Sequence, residues 1–144
     1  MNNLVANRSQ LVYAQLGSTG GSVAAGNPYR FTPVENMTQL NIAVYGVEAF
    51  GATQLAVTPD GYTVVANSVL DQLALTLVDK TGNEVLKDFP CYNLVRANIG
   101  GFVNLFADYN LDMVKCYVKV TDTTGITAGN VVAFNWYYYF TKPM

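Results

Sequence analysis

The sequence predicts an all-β fold of two antiparallel sheets packed face to face, and within that class a single jelly roll of about eight strands. From Tyr29 onward, short strand-like runs alternate with turn signals, and helical periodicity is missing. Long polar connections such as 122–130 stand where a parallel sheet would need helices. An immunoglobulin-type sandwich is the alternative, but Trp136 follows both Cys91 and Cys116 instead of lying between them.

The first 27 residues differ in composition from the rest and are rich in Asn, Gln, Gly and Ser. We expect residues 1–27 to form a flexible N-terminal arm and residues 28–144 to form the β-sandwich domain. The apolar segment 11–16 needs a partner surface, which the flexible Gly/Ser stretch would let it reach. Its contact candidates are Leu11, Val12, Tyr13 and Leu16. A disordered tail or an irregular first strand of the same domain explains this composition equally well.

Ten segments of the remaining chain have strand-like composition. They are Tyr29–Val34, Gln39–Tyr45, Gln54–Thr58, Tyr62–Ala66, Gln72–Asp79, Glu84–Lys87, Tyr92–Arg96, Phe102–Ala107, Met113–Thr121 and Val131–Thr141. The strongest turn signals are Pro59-Asp60-Gly61 and Lys80-Thr81-Gly82-Asn83, of which the second predicts a compact hairpin. A helical turn capped by Asn67 or Ser68 is an open alternative for the segment after Ala66.

The last predicted strand carries aromatic residues on both faces. Alternation predicts that one face is buried in the core, namely Val132, Phe134, Trp136, Tyr138 and Phe140. The opposite face consists of Val131, Ala133, Asn135, Tyr137 and Tyr139, and we expect it also to meet protein. In Met113–Thr121 the same rule predicts an inner face of Val114, Cys116, Val118 and Val120.

The low charge of the chain disfavours some classes of function. The chain is 51% hydrophobic and only 12% charged, about half the usual charged fraction, so we expect neighbouring molecules to cover part of its surface. The net charge is −2 and the basic residues form no run, which disfavours nucleic-acid binding. We recognise neither a signal peptide nor a membrane span, so we expect synthesis in a cytoplasm and reduced cysteines.

Catalytic and metal-binding patterns are weak. The chain has no histidine, and its ten acidic residues have no recurring partner, so we expect no enzyme and no cofactor. The segment Asp108–Asp112 resembles the opening of a calcium loop. Met113 stands where that loop needs glycine and Lys119 where it needs a carboxylate, so we expect a plain polar loop and no metal.

Three tyrosines predicted to face outward, Tyr117, Tyr137 and Tyr139, are candidates for contacts with other molecules. A tyrosine combines a large rigid area with a hydroxyl group, so it suits a protein interface or a stack on a sugar ring. Sugar sites usually place carboxylates and amides beside the rings, and Asn135 is the only such group on that face of the last strand, so the interface is favoured. A third interpretation is that the three cover the core under a loop of the same chain.

A Gly/Ser/Asn-rich beginning, a strand-only body poor in charge and a final strand dense in aromatics resemble the layout of small single jelly-roll capsid proteins, especially vertex or penton proteins of tailless icosahedral bacteriophages. The resemblance covers residues 29–144. It implies a virion protein made in the host cytoplasm that forms a closed ring, a pentamer at a capsid vertex, with its arm reaching a neighbouring capsid protein. A carbohydrate-binding β-sandwich and a virion decoration protein are the alternatives.

Overall fold

The structure is a computed structural model that describes residues 8–34, 42–95 and 103–140, with residues 103–108 described as backbone only. The described residues form eight strands. They are β1 (Arg8–Gln15), β2 (Pro28–Arg30), β3 (Ile42–Phe50), β4 (Leu73–Val78), β5 (Glu84–Pro90), β6 (Val103–Asn110), β7 (Tyr117–Val120) and β8 (Val131–Phe140). Two short 3-10 helices, Asn67–Gln72 and Cys91–Leu94, lie between strands. No helix in these described ranges is long and apolar enough to cross a membrane.

The strands form two four-stranded antiparallel sheets, ordered β1-β8-β3-β6 and β2-β7-β4-β5. The pairs β1–β8, β2–β7, β3–β6 and β4–β5 are nested one inside the next along the chain. The β3–β8 and β4–β7 ladders join these pairs into the two sheets. A chain folded into nested antiparallel pairs and then rolled into two sheets is a jelly roll, so the predicted fold class is confirmed.

The space between the sheets is filled by alternate residues of the strands. In β8 the inner face is buried as alternation predicted, with Val132, Phe134 and Trp136 fully enclosed. Phe31 follows β2 and crosses towards the other sheet, where it bridges to Ala14 of β1. The aromatic last strand therefore lies at the centre of the core.

The described part of the predicted arm, residues 8–27, belongs to the sandwich. β1 pairs with β8 along its whole length, and Leu16 donates its backbone N–H to the carbonyl of Asn130 at 2.8 Å. The glycine-rich segment that follows stays on the body, where Gly26 donates to the carbonyl of Val120 at 2.8 Å. This corrects the expectation of an arm for these residues, and the alternative of a first strand describes them.

Several predicted strands have other structures. Gln54–Thr58 and Tyr62–Ala66 lie in a loop that has only isolated β-bridges among the described residues, Val57 to Thr63 within the loop and Val64 to Val131 of β8. The tight turn at 59–61 between the two segments is present. Residues 92–94 of Tyr92–Arg96 lie in a 3-10 helix, and Arg96 lies outside the described residues. The open alternative of a helical turn after Ala66 is realised as the 3-10 helix Asn67–Gln72.

The boundary between β6 and β7 also differs from the predicted one. β6 continues to Asn110, so the expected polar loop at 108–112 is mostly strand, and the turn lies at 113–115. Because of that turn Met113 is buried and Val114 is 61% exposed, which reverses the faces predicted for the start of Met113–Thr121. The predicted segments Gln39–Tyr45 and Phe102–Ala107 begin outside the described residues.

A β-bulge in β3 changes which residues face the core. The register of β3 against both β8 and β6 shifts between Val44 and Gly46, so Tyr45 lies at the bulge. The core-facing positions accordingly change from Ile42 and Val44 to Val47 and Ala49. Beyond the bulge, Glu48 faces away from the core on the same side as Asn135, its cross-strand neighbour in β8.

Candidate functional site

The outer face of the β1-β8-β3-β6 sheet is covered at one end by the chain itself. The loop after β3 folds back over it, and Tyr62 of that loop packs on Tyr13 with ring centroids 5.9 Å apart. Tyr13 also donates its hydroxyl to the carboxylate of Asp60 in the same loop. Val131 and Ala133 are completely buried beneath this cover. For this half of the face, the expectation that it meets protein is confirmed.

The other end of that face carries three half-buried tyrosines from two strands. The ring of Tyr45, at the bulge, lies 6.4 Å from Tyr139 at an interplanar angle of 27°, which is a stacked arrangement. Its distance to Tyr137 is also 6.4 Å, at 47°. The bulge places Tyr45 between the two tyrosines of β8, so the three rings form one aromatic surface, the Tyr45/Tyr137/Tyr139 platform.

Polar groups lie beside this platform. Tyr137 donates its hydroxyl to the carboxylate of Glu48 and accepts a hydrogen bond from the side-chain amide of Asn135 at 3.2 Å. Glu48 is only 2% exposed, and it is one of three buried polar side chains in the described ranges. The two bonds fix the phenol and orient both neighbouring groups, which gives this side of the sheet a preorganised polar cluster.

A cavity of about 350 Å³ opens beside the cluster, lined by Glu48, Phe50, Gln54, Asn135 and Tyr137. Its volume is at the lower end of the range usual for small-molecule sites. Gln54 is held by its oxygen, which accepts from the backbone N–H of Gly51 at 3.0 Å and from the amide of Asn67 at 2.9 Å. The site therefore combines a carboxylate, two carboxamides and a phenol around an aromatic wall.

The sequence identified only part of this group. Tyr137, Tyr139 and Asn135 were recognised from the alternation of the last strand, whereas Glu48 and Gln54 were missed. Glu48 belongs to the neighbouring strand, and its position on this face depends on the bulge in β3. Two signals were available. Gly46 lies inside the strand pattern, where an isolated glycine often marks a bulge, and Glu48 is the only charged residue in Ile42–Phe50.

Tyr117, the third candidate tyrosine, lies on the other sheet. The guanidinium of Arg30 is 5.2 Å from its ring centroid, and its hydroxyl donates to Glu84 at 3.4 Å. Tyr117 is half-buried on the outer face of β7. It is therefore separate from the platform, and the structure does not bring the three tyrosines together.

The four contact candidates of the first segment have different exposures. Val12 and Leu16 are 1% and 0% exposed and belong to the core, and Tyr13 is covered by the loop described above. Leu11 is half-buried on the outer side of β1 and packs against the cluster that contains Tyr13. This corrects the expectation that Val12, Tyr13 and Leu16 contact a neighbour, because their side chains are already used within the chain.

The cysteines are buried free thiols. Burial raises the pKa of the Cys116 thiol to about 12 and also raises the pKa of the Cys91 thiol. Cys116 Sγ accepts from the backbone N–H of Val78 at 3.3 Å, in the interior of the protein. A thiol held neutral in this way is a poor nucleophile, so the two residues serve packing.

The carboxylates of the loops are engaged in local turn structure. Asp79 accepts hydrogen bonds from Thr81 and Asn83, which lower its pKa, and Asp122 does the same with Thr124. Within the described ranges, no three Cys, Asp or Glu side chains lie close enough to hold a metal ion. Neither the thiols nor these loop carboxylates form a cluster comparable with the one around Glu48.

Comparisons of the chain with protein-family models, with curated proteins and with solved structures find no match in any of the three.

Proposed function

We propose that this chain is a structural subunit of a virion shell that assembles into a closed ring through side-to-side contacts between jelly rolls. The observation that carries the proposal is the nested strand order of the two sheets. Jelly rolls of this topology are used by viral capsid proteins and by lectin domains. In both classes the sandwich packs against other molecules.

The scarcity of charge favours the shell over a free-standing module. Only 12% of the residues are charged, against about 25% in an average soluble domain. Large apolar side chains also remain on the surface, with Val114 61% exposed, Val57 52% and Tyr92 46%. A subunit that is surrounded by copies of itself needs fewer charges than a monomer, because contacts replace part of its hydration.

A ring requires each subunit to present two different, complementary surfaces. Tyr117 on the β2-β7-β4-β5 sheet and Tyr139 with Leu11 on the β1-β8-β3-β6 sheet face away from each other across the sandwich. These residues are our contact candidates. A pentamer at a capsid vertex is the assembly that we propose, with another capsid protein as its neighbour.

Sedimentation velocity from nanomolar to high micromolar concentration tests the proposal. We expect one discrete oligomer that grows in population with concentration. Tyr117→Glu and Tyr139→Glu each add a charge at a proposed contact and should shift the protein towards monomer. Ser68→Glu adds the same charge at an exposed position of a 3-10 helix and should leave assembly unchanged. A monomer at every concentration contradicts the proposal.

A further inference from the structure

We infer that the cavity between Glu48 and Tyr137 binds a neutral saccharide, with the Tyr45/Tyr137/Tyr139 platform as the stacking surface beside it. This binding site goes beyond the proposed shell function and does not depend on it. The residues that line the cavity do not include Tyr117, Tyr139 or Leu11, which are the contacts proposed for the ring. Tyr139 of the platform is open to a ligand only where that ring contact is not made.

The polar lining matches a ligand that presents several hydroxyl groups. A sugar hydroxyl both donates and accepts, so a pair of neighbouring hydroxyls is best held by an acceptor and a donor side by side. Glu48 supplies a carboxylate acceptor, and Asn135, directly opposite it on β8, supplies a carboxamide. The Tyr137 hydroxyl that links the two keeps their spacing constant before any ligand arrives.

Gln54 adds a donor on the loop side of the cavity. Within the described residues its hydrogen bonds use the side-chain oxygen alone. Those two bonds position the carboxamide, and its nitrogen can donate to a ligand oxygen. The cavity can therefore contact a hydroxylated ring from both β8 and the loop after β3.

The aromatic lining matches the apolar side of such a ring. The face of an aromatic ring is electron-rich, so it attracts the polarised C–H groups that a pyranose exposes on one side. Tyr137 and Phe50 are both half-buried and line the cavity. Tyr45 and Tyr139 continue the aromatic surface beyond it, with centroids 6.4 Å apart. An oligosaccharide longer than one unit is accordingly the ligand that covers both parts.

The charge of the site selects against acidic sugars and phosphate. Glu48 is the only charged residue among the five described residues that line the cavity. The residue is 2% exposed, so water screens its charge weakly and an anionic ligand would be repelled. A hydroxyl-rich ligand without charge gains the hydrogen bonds without this repulsion.

Binding of neutral oligosaccharides to the purified full chain tests the inference. The probes are gluco-, manno- and N-acetylglucosamine oligomers, with oligogalacturonate as the anionic comparison, measured by saturation-transfer NMR and isothermal titration calorimetry. We expect at least one neutral series to bind and oligogalacturonate not to bind. Tyr137→Phe removes the linking hydroxyl and should weaken binding about tenfold or more. Tyr29→Phe, in β2 of the other sheet, removes a hydroxyl that accepts from the backbone N–H of Ala24 and should leave binding unchanged.

Two further variants guard against a folding defect. Asn135→Ala alters a half-buried side chain, and Glu48→Gln keeps the shape of a buried one while removing its charge. Both variants should weaken binding of the neutral sugar, while their thermal unfolding curves should stay cooperative. Failure of every neutral probe to bind at millimolar concentration overturns the inference, as does binding that Tyr137→Phe leaves intact. If the NMR signal of Tyr137 shifts with protein concentration but with no sugar, a second copy of the chain occupies the face that carries the cavity. That result also overturns the inference.

Loss of the sugar site and loss of the shell function would give different results. Sedimentation of the unliganded protein reports assembly, whereas calorimetry of a dilute sample reports the saccharide. A monomer that binds the neutral oligomer refutes only the shell, and an oligomer that binds none refutes only the saccharide site.

Discussion

Phe31 lies edge-on against Trp136, with ring centroids 5.4 Å apart and an interplanar angle of 76°. Phe31 comes directly after β2 of one sheet, and Trp136 is in the middle of β8 of the other. Phe31 also meets Phe134 edge-on at 5.5 Å. Edge-to-face pairs of this kind are favoured beyond the area they bury, so this cluster ties the two sheets together where the chain passes between them.

Replacing Trp136 tests how much that aromatic cluster contributes to stability. Trp136→Ala should lower the free energy of unfolding by about 3–5 kcal/mol, because it opens a cavity in a fully buried position. Trp136→Phe should lower the free energy of unfolding by clearly less. It keeps a ring against Phe31 and removes an indole N–H that is buried without a hydrogen-bond partner among the described residues. Urea unfolding followed by circular dichroism measures both, and equal losses would contradict the expectation.

Leu16 tests the assignment of residues 8–27 to the sandwich. Its side chain is fully buried, so Leu16→Ala should reduce the free energy of unfolding by about 2–5 kcal/mol. Val57→Ala, at a side chain 52% exposed, is the matched truncation and should change it by less than about 0.5 kcal/mol. If both variants were as stable as the parent chain, Leu16 would not belong to the core.

Local patterns predicted the parts of the fold that depend on neighbours in sequence. The alternation of β8 identified its buried face, and the turn at 80–83 identified the β4–β5 hairpin. β1 was harder to assign because its partner is distant, with Arg8 opposite Tyr138. A polar segment next to a glycine-rich one has the composition of a flexible arm, and only the ladder to β8 shows that it is a strand.

The candidate site was predictable to a similar extent. Tyr137 and Tyr139 follow from the period of two in β8, whereas Glu48 requires knowing which strand lies beside β8 and where β3 shifts its register. Without the bulge, Glu48 would share a face with Ile42 and Val44 and would point into the core. The carboxylate of the cluster is therefore a product of tertiary structure.

The buried thiols predict a loss of stability in alkaline solution. Burial raises the pKa of Cys116 from 9.0 to about 12 and raises that of Cys91 as well. Between these values the folded protein keeps the thiol proton while the unfolded chain has released it, so the free energy of unfolding falls as pH rises through pH 9 towards about 12. The slope is about 1.4 kcal/mol per pH unit for each thiol.

Urea unfolding at neutral pH and at alkaline pH measures this slope. Because other groups also titrate there, the comparison is with a variant that carries both Cys91→Ala and Cys116→Ala, which should lose less stability between the two conditions. In the parent chain at neutral pH, neither thiol should react with an aromatic disulfide reagent until urea unfolds the protein. Rapid labelling of the folded protein, or identical pH slopes in the two chains, would be inconsistent with neutral buried thiols.

Replacing Gly129 tests the contact between the segment after β1 and the loop before β8, and replacing Gly82 is the matched control. Both have positive φ, 94° and 91°, so the backbone conformation destabilises an alanine by a comparable amount, about 1–2 kcal/mol, at either position. A Cβ at Gly129 would lie 2.8 Å from Thr19 Cα, whereas one at Gly82 would meet nothing within 4 Å. Gly129→Ala should therefore destabilise the protein more than Gly82→Ala in thermal unfolding. Equal losses would mean that Thr19 does not rest on this loop in solution, and that the glycine-rich segment is held to the body only through its ends.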